Sequence, residues 1–184
     1  MSASERLAWS YVLSNEDVTP PSGRVTQDGS GSIARLGVNS HWFAEALSDG
    51  FYSMPLPEAL HYAEAVFVIH FWDQIRGGFL EGQLVASKFS DLAFNASVDQ
   101  ATMLVQRACN AVWKAQPIKP DGIPGAWTIA RVNAIIVEDE EALYGALLAQ
   151  GEHFYEVLRL AHPEKFSQAL EEEWLSRLKK RPPV

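Results

Sequence analysis

Between Leu13 and Ser40 the sequence LSNEDVTPPSGRVTQDGSGSIARLGVNS keeps no sustained helical or strand period. Pro20-Pro21 forbids continuation of any helix that enters it, because proline lacks the amide proton and clashes with the preceding turn. Glycine and serine dominate its middle. Long connections of this kind inside a compact domain are more often functional than idle, so the remaining chain has to be read as a body that holds this segment. Val25, the Asp28-Gly29 turn signal and Ile33 are spaced for a small β-hairpin within it.

The rest of the chain is patterned for helices. Ser2-Ala3-Ser4-Glu5 has the form of a capping box and opens a helix to about Asn15, with Leu7, Ala8, Tyr11 and Val12 on one face. Ser40 is placed to cap a helix over 41–47 that stops at Asp49-Gly50. Pro57 suits a first helical turn, and the periodicity continues to about Trp72. Further helices are predicted over 80–94, from the capping box Ser97-Val98-Asp99-Gln100 onward, from Ala126, from about Asp139 to Ala161, and from Phe166 to Leu178. The helix after Ser97 carries two apolar stripes and should be buried on much of its circumference. The basic tail with Arg177, Lys179 and Lys180 suits the negative end of a helix dipole. The fold class is therefore mainly α, with an irregular loop or small β-hairpin near the N-terminus.

Composition narrows the function. A chain of 184 residues fits one domain and buries roughly 70% of its unfolded surface; six Trp and nine Phe can fill that core. The formal net charge of −8 argues against a general nucleic-acid binder, which usually carries a basic surplus. The longest apolar run, Ala65 to Ile69, is far short of the ~20 residues of a membrane span, so no membrane insertion is expected. The start MSASERLAW lacks the basic and apolar regions of a secretory signal, so action outside the cytoplasm would require a holin or secretion machinery. The single cysteine, Cys109, lies on an apolar helix side and reads as a buried structural thiol. No histidine pairing places metal ligands on one helical face, and no phosphate-binding loop or nucleophile elbow is present; no metal and no cofactor is expected.

The long segment brings two carboxylates, Glu16 and Asp28. Glycoside hydrolysis uses an acid to protonate the leaving oxygen and a second carboxylate to activate water or attack the anomeric carbon. The acid must hold its proton near neutral pH and therefore needs a desolvated setting. Glu16, pinned at the end of an amphipathic helix, fits that role; Asp28, in a polar turn, suits a group that stays ionised. Each also has a bland reading, Glu16 as a solvated helix end and Asp28 as a turn former. Trp72 is either a core residue or a sugar platform. Asn95 either makes a structural hydrogen bond or borders a groove. Arg35 either pairs with one of the acids or is solvated. Asp17 would push the Glu16 carboxyl up by like-charge repulsion if both faced one cleft.

Taken together, these residues resemble the muramidases of the glycoside hydrolase 108 family, with their C-terminal peptidoglycan-binding-3 region. Val12-Leu13-Ser14-Asn15-Glu16 is similar to the approach to the family's catalytic glutamate. Asp28, Gly29, Gly31 and Ala34-Arg35-Leu36-Gly37-Val38-Asn39 resemble its loop and exit. Downstream, Phe71-Trp72-Asp73, Asp91-Leu92-Ala93-Phe94-Asn95, Val105-Gln106, Asp121-Gly122-Ile123-Pro124-Gly125 and Trp174-Leu175-Ser176-Arg177 have counterparts in the same order. The sequence departs from the family at Asp17-Val18, where two glycines stand, at Ala34, where a water-positioning threonine stands, and in a loop longer by about three residues.

The resemblance implies a lysozyme-like helical domain over 1–184, with a catalytic-type part over 1–90 and a peptidoglycan-binding-3-like part over 91–184. It implies an N-acetylmuramidase acting on peptidoglycan glycan strands in the periplasm or at the cell wall. Glu16 and Asp28 would be catalytic, and Arg35, Asn39, Trp72 and Asn95 would bind substrate. Loss of the threonine hydroxyl at Ala34 implies either that another group, Ser30, Ser32 or Asn39, positions the water or that activity is weakened. The alternative is a non-catalytic peptidoglycan-binding or assembly protein on the same scaffold.

Overall fold

Ser4 caps the first helix: its side chain accepts a hydrogen bond from the Leu7 amide, and α1 runs Glu5–Glu16. The capping residue is thus Ser4 and not Ser2. The Ser4 amide is itself held by Gln83 Oε1 at 2.6 Å, which fixes where the helix begins. A computed structural model gives this architecture and describes residues 2–27 and 31–184. Three short antiparallel strands come next: β1 (Thr26–Gln27), β2 (Ile33–Arg35) and β3 (Val38–Asn39), in that order across the sheet. Thr26 pairs with Ala34 and Gln27 with Ile33, so the expected hairpin is present. The third strand is an addition. It is reached by a two-residue turn in which Leu36 and Gly37 both have positive φ (50° and 79°), the conformation that matches the twist of a tight hairpin.

The expected helix over 41–47 shrinks to one turn, α2 (Glu45–Ser48). Asn39 instead organises residues 41–43, its Oδ1 accepting from the His41 amide and its carbonyl from Trp42 and Phe43. α3 (Leu56–Phe67) continues as a π-helical turn, Val68–Trp72, in which the Asp73 amide reaches back to the Val68 carbonyl. Gly77 lies against the face of Trp72, where a Cβ would fall 2.3 Å from the ring.

The central helix is α4 (Gln83–Ala96), buried without interruption from Leu84 to Ala93. It packs on α1, on α5 (Val98–Val112) and on α6 (Ala126–Ala161). α5 is also enclosed along both expected apolar stripes, at Leu104 and Ala108 and at Val105 and Cys109. Ser97 does cap α5, accepting from the Gln100 amide. Gln106 on α5 joins the sequence around it to the Asp121–Gly125 loop: Nε2 donates to Asp121 Oδ1 and Thr128 Oγ1, and Oε1 accepts from the Gly122 amide. α6 is interrupted at Asp139 (φ −161°, ψ 89°), whose carboxylate accepts from the Ala142 amide. The second segment of α6 thus starts where the sequence places it. After the His162-Pro163 break, α7 (Gln168–Lys179) is capped by Ser167 and folds back onto α6. Among the described residues, no helix is long and apolar enough to cross a membrane.

Candidate functional site

Glu16 is the last residue of α1, so its side chain leaves the helix where the backbone turns toward the sheet. Gly37 permits the sheet to approach it. A Cβ there would lie 2.9 Å from Glu16 Cγ and 2.7 Å from the Phe94 ring, and φ of +79° suits glycine alone among common residues. Leu36 beside it accepts an unfavourable positive φ and is buried, so apolar packing holds the turn in place. The result is a cleft of about 580 Å³ between the end of α1 and the sheet. Its lining includes Glu16, Asp17, Arg24, Ala34, Asn39 and Lys180.

Behind Glu16 stands a buried ionic cluster drawn from three helices. Arg177 of α7 pairs with the Glu16 carboxylate through Nη2 and with Asp91 Oδ1 at 3.0 Å. Asp91 of α4, 2% exposed, also accepts from Asn15 Nδ2 at 3.0 Å and lies 3.5 Å from Lys88 Nζ. Lys88, 0% exposed, donates to the Tyr11 hydroxyl, to the Leu178 carbonyl at 2.8 Å and to the Lys180 carbonyl at 3.0 Å. With Glu16 ionised the four groups are electrically balanced; a proton on Glu16 leaves two cations facing one anion.

The Glu16 carboxyl is governed by that contest. Burial pushes it above the usual carboxylate range, Arg177 pulls it back by charge and hydrogen bonding, and Asp91 adds upward pressure. Burial prevails, so the net direction is up. The like charge that acts is Asp91 and not Asp17. Burial also raises Asp17, but bonds from Ser22 Oγ and the Gly23 and Val18 amides outweigh it and hold Asp17 below its usual range. Asp17 is thereby committed to the turn after α1. Burial likewise lowers Lys88 to about 8 against the opposing pull of Asp91.

The other expected residues divide. Asp28 lies outside the described residues, as does Ser30. Asn39 lines the cleft from β3. Arg35 also lines it, but is buried and not solvated: Nε donates to the Gly23 carbonyl, and Nη1 to those of Phe51 and Met54. Its charge fastens the cleft wall to the helical body. Trp72 is 3% exposed and sits in the core between Phe67 and Gly77, leaving no ring face for a sugar. Asn95 donates to the Asp91 carbonyl at 2.7 Å and borders a second groove that Gly37 also lines. Arg177, Asp91 and Lys88 were not expected at the site. Asp91 stands 76 residues from its partner Asn15 and 86 from Arg177, and each charge alone reads as an ordinary helical one. Among the described residues, no group of three or more His, Cys, Asp or Glu is gathered to hold a metal ion.

Fold and site define a mainly α domain in which a buried acid, at the end of the first helix, faces a cleft under a small antiparallel sheet. The structure of Brucella abortus SagA has the same fold, with a TM-score of 0.61 and 14% identity over 95% of this chain and 93% of that one. No protein-family model and no curated protein sequence matches the chain.

Proposed function

We propose that the protein is a peptidoglycan hydrolase, an N-acetylmuramidase that cuts the glycan strand by carboxylate chemistry. The observation that carries this reading is Glu16, a carboxyl raised by burial and set at the floor of an open cleft. A general acid needs that combination of proton affinity and access. The likeness to glycoside hydrolase 108 muramidases supplies the substrate class, and the fold shared with SagA is compatible with it. In this reading Glu16 protonates the glycosidic oxygen as the bond to the anomeric carbon breaks. Asp28 is the second carboxylate, serving as base or as electrostatic stabiliser of the developing positive charge. Substrate entering the cleft displaces water, which strengthens the burial that favours protonated Glu16. Asn39 contacts the sugar from the sheet, and Arg35 keeps the wall in place. The site of action is the periplasm or cell wall, reached by export.

The test is Glu16→Gln on purified sacculi. The expected result is a fall in release of muramic-acid reducing ends by at least about 100-fold, the usual scale of general-acid loss, with the circular dichroism spectrum unchanged. Undiminished hydrolysis by that variant overturns the assignment.

A second reading is favoured by Ala34, which lines the cleft where the likeness calls for a threonine, and by the engagement of Glu16 with Arg177. It is a peptidoglycan-binding protein on the same scaffold. Sacculus pull-down by the wild-type protein without new reducing ends favours it.

A further inference from the structure

A second groove, of about 480 Å³, shares Gly37 with the Glu16 cleft. Gly37 lines both, and the Phe94 ring and the Glu16 side chain close against it, so the two grooves adjoin at that glycine. The rims differ in chemistry. The Glu16 cleft carries several charges, whereas the second groove contains no Asp, Glu, Lys or Arg among its described lining residues. It is walled by Trp42, Phe43, Phe71 and Phe94, with His70 and Asn95 as polar points. Phe43 meets His70 and Phe71 edge-on at 5.2 and 6.3 Å, and Phe71 meets Phe94 at 4.7 Å, which makes a fixed aromatic wall. Trp42 stands out of that wall. It is 77% exposed, and His41 meets it in a T-shaped contact at 4.8 Å. Asn95 commits its amide nitrogen to Asp91, and among the described residues no donor reaches its Oδ1.

An uncharged groove with aromatic faces and a few fixed polar groups suits a neutral ligand that is apolar on its ring faces and polar at its edges. N-acetylated pyranose rings have that character. We propose that this groove is a second saccharide subsite, in which Trp42 stacks on an N-acetylhexosamine and Asn95 accepts a hydrogen bond from it. The glycan strand then crosses over Gly37 from one groove to the other. This rests on the glycan-cleaving reading of the Glu16 cleft, and it adds to that reading a path for the strand and a residue that reads the sugar.

The probe is a soluble N-acetylglucosamine hexamer, titrated calorimetrically into Glu16→Gln protein and into the same protein carrying Trp42→Ala. Binding by the first and an affinity lower by about tenfold in the second is the expected result, a loss appropriate to one aromatic stacking contact. Trp42 is exposed and stands clear of the core, so folding is not at stake, and an unchanged melting temperature checks it. Equal affinity in the two proteins, or no binding to Glu16→Gln protein, overturns the subsite. In otherwise wild-type protein, Trp42→Ala should raise KM on sacculi with kcat held; a fall in kcat at constant KM also overturns it. Failure of the glycosidase reading is read separately, as hydrolysis retained by Glu16→Gln, and leaves the binding comparison intact.

Discussion

Replacing Lys88 by methionine isolates the energetics of the ionic cluster behind Glu16. Burial lowers the Lys88 ammonium to about 8, against roughly 10.4 for lysine in an unfolded chain. Below pH 8 both states hold the proton, and the fold bears the cost of a buried charge. Between about 8 and 10.4 the folded protein releases the proton while the unfolded chain keeps it, so stability rises with pH through that window. From the two values, the gain from pH 7 to pH 9 is about 1.3 kcal/mol. The methionine variant has no such gain. At pH 7 it also loses three hydrogen-bond partners and leaves Asp91 to Arg177 and Asn15, at a cost of about 3 kcal/mol. Its deficit should therefore widen to about 4 kcal/mol at pH 9. Cys109, raised by burial to about 12, erodes stability as the unfolded thiol ionises above about pH 8.5, but it does so equally in both proteins and cancels in the difference. Urea unfolding followed by tryptophan fluorescence at the two pH values measures the deficit. A deficit that stays constant or narrows as pH rises refutes the reasoning.

Arg177→Met should move the basic limb of the pH–activity profile upward. Without its cation, Glu16 is governed by burial and by Asp91, both of which favour the protonated acid; an unmoved or lowered limb contradicts this. Gly37→Ala should cost about 2–4 kcal/mol, combining the left-handed backbone with collision against Phe94 and Glu16. Gly31→Ala, at φ +89° with nothing within 4 Å, should lose only the backbone share, about 1–2 kcal/mol. Chemical denaturation of the pair separates the two contributions, and equal losses would refute the contact at Gly37.

The helices were legible because their signals are local. Ser97 caps the helix it precedes, and Asp139 breaks α6 where its own carboxylate can satisfy an exposed amide. The hairpin was legible for the same reason, since Val25, the turn signal and Ile33 lie within one segment. β3 was hidden because its turn uses Leu36 in a conformation typical of glycine or asparagine, and only burial of that leucine holds it there. The helix expected after Ser40 was lost to Asn39, which satisfies the next amides before a helix can. At the site, Glu16 was readable from its place at a helix end. Its controlling partners were not, because Arg177, Asp91 and Lys88 meet it only through packing of α1, α4 and α7. Sequence periodicity shows which face is buried, and says little about which charges will share a burial site.

The arrangement of Arg177 has a consequence for synthesis. Glu16 is made with α1, but the cation that restrains it belongs to α7, which follows much later. A nascent chain therefore carries Glu16 with its ion pair unmade until α7 is available. α4 lacks the carbonyls of Leu178 and Lys180 that receive Lys88 over the same interval. A chain interrupted between Asn39 and α7 would hold the cleft-lining residues through Asn39 and still lack the electrostatic setting of Glu16.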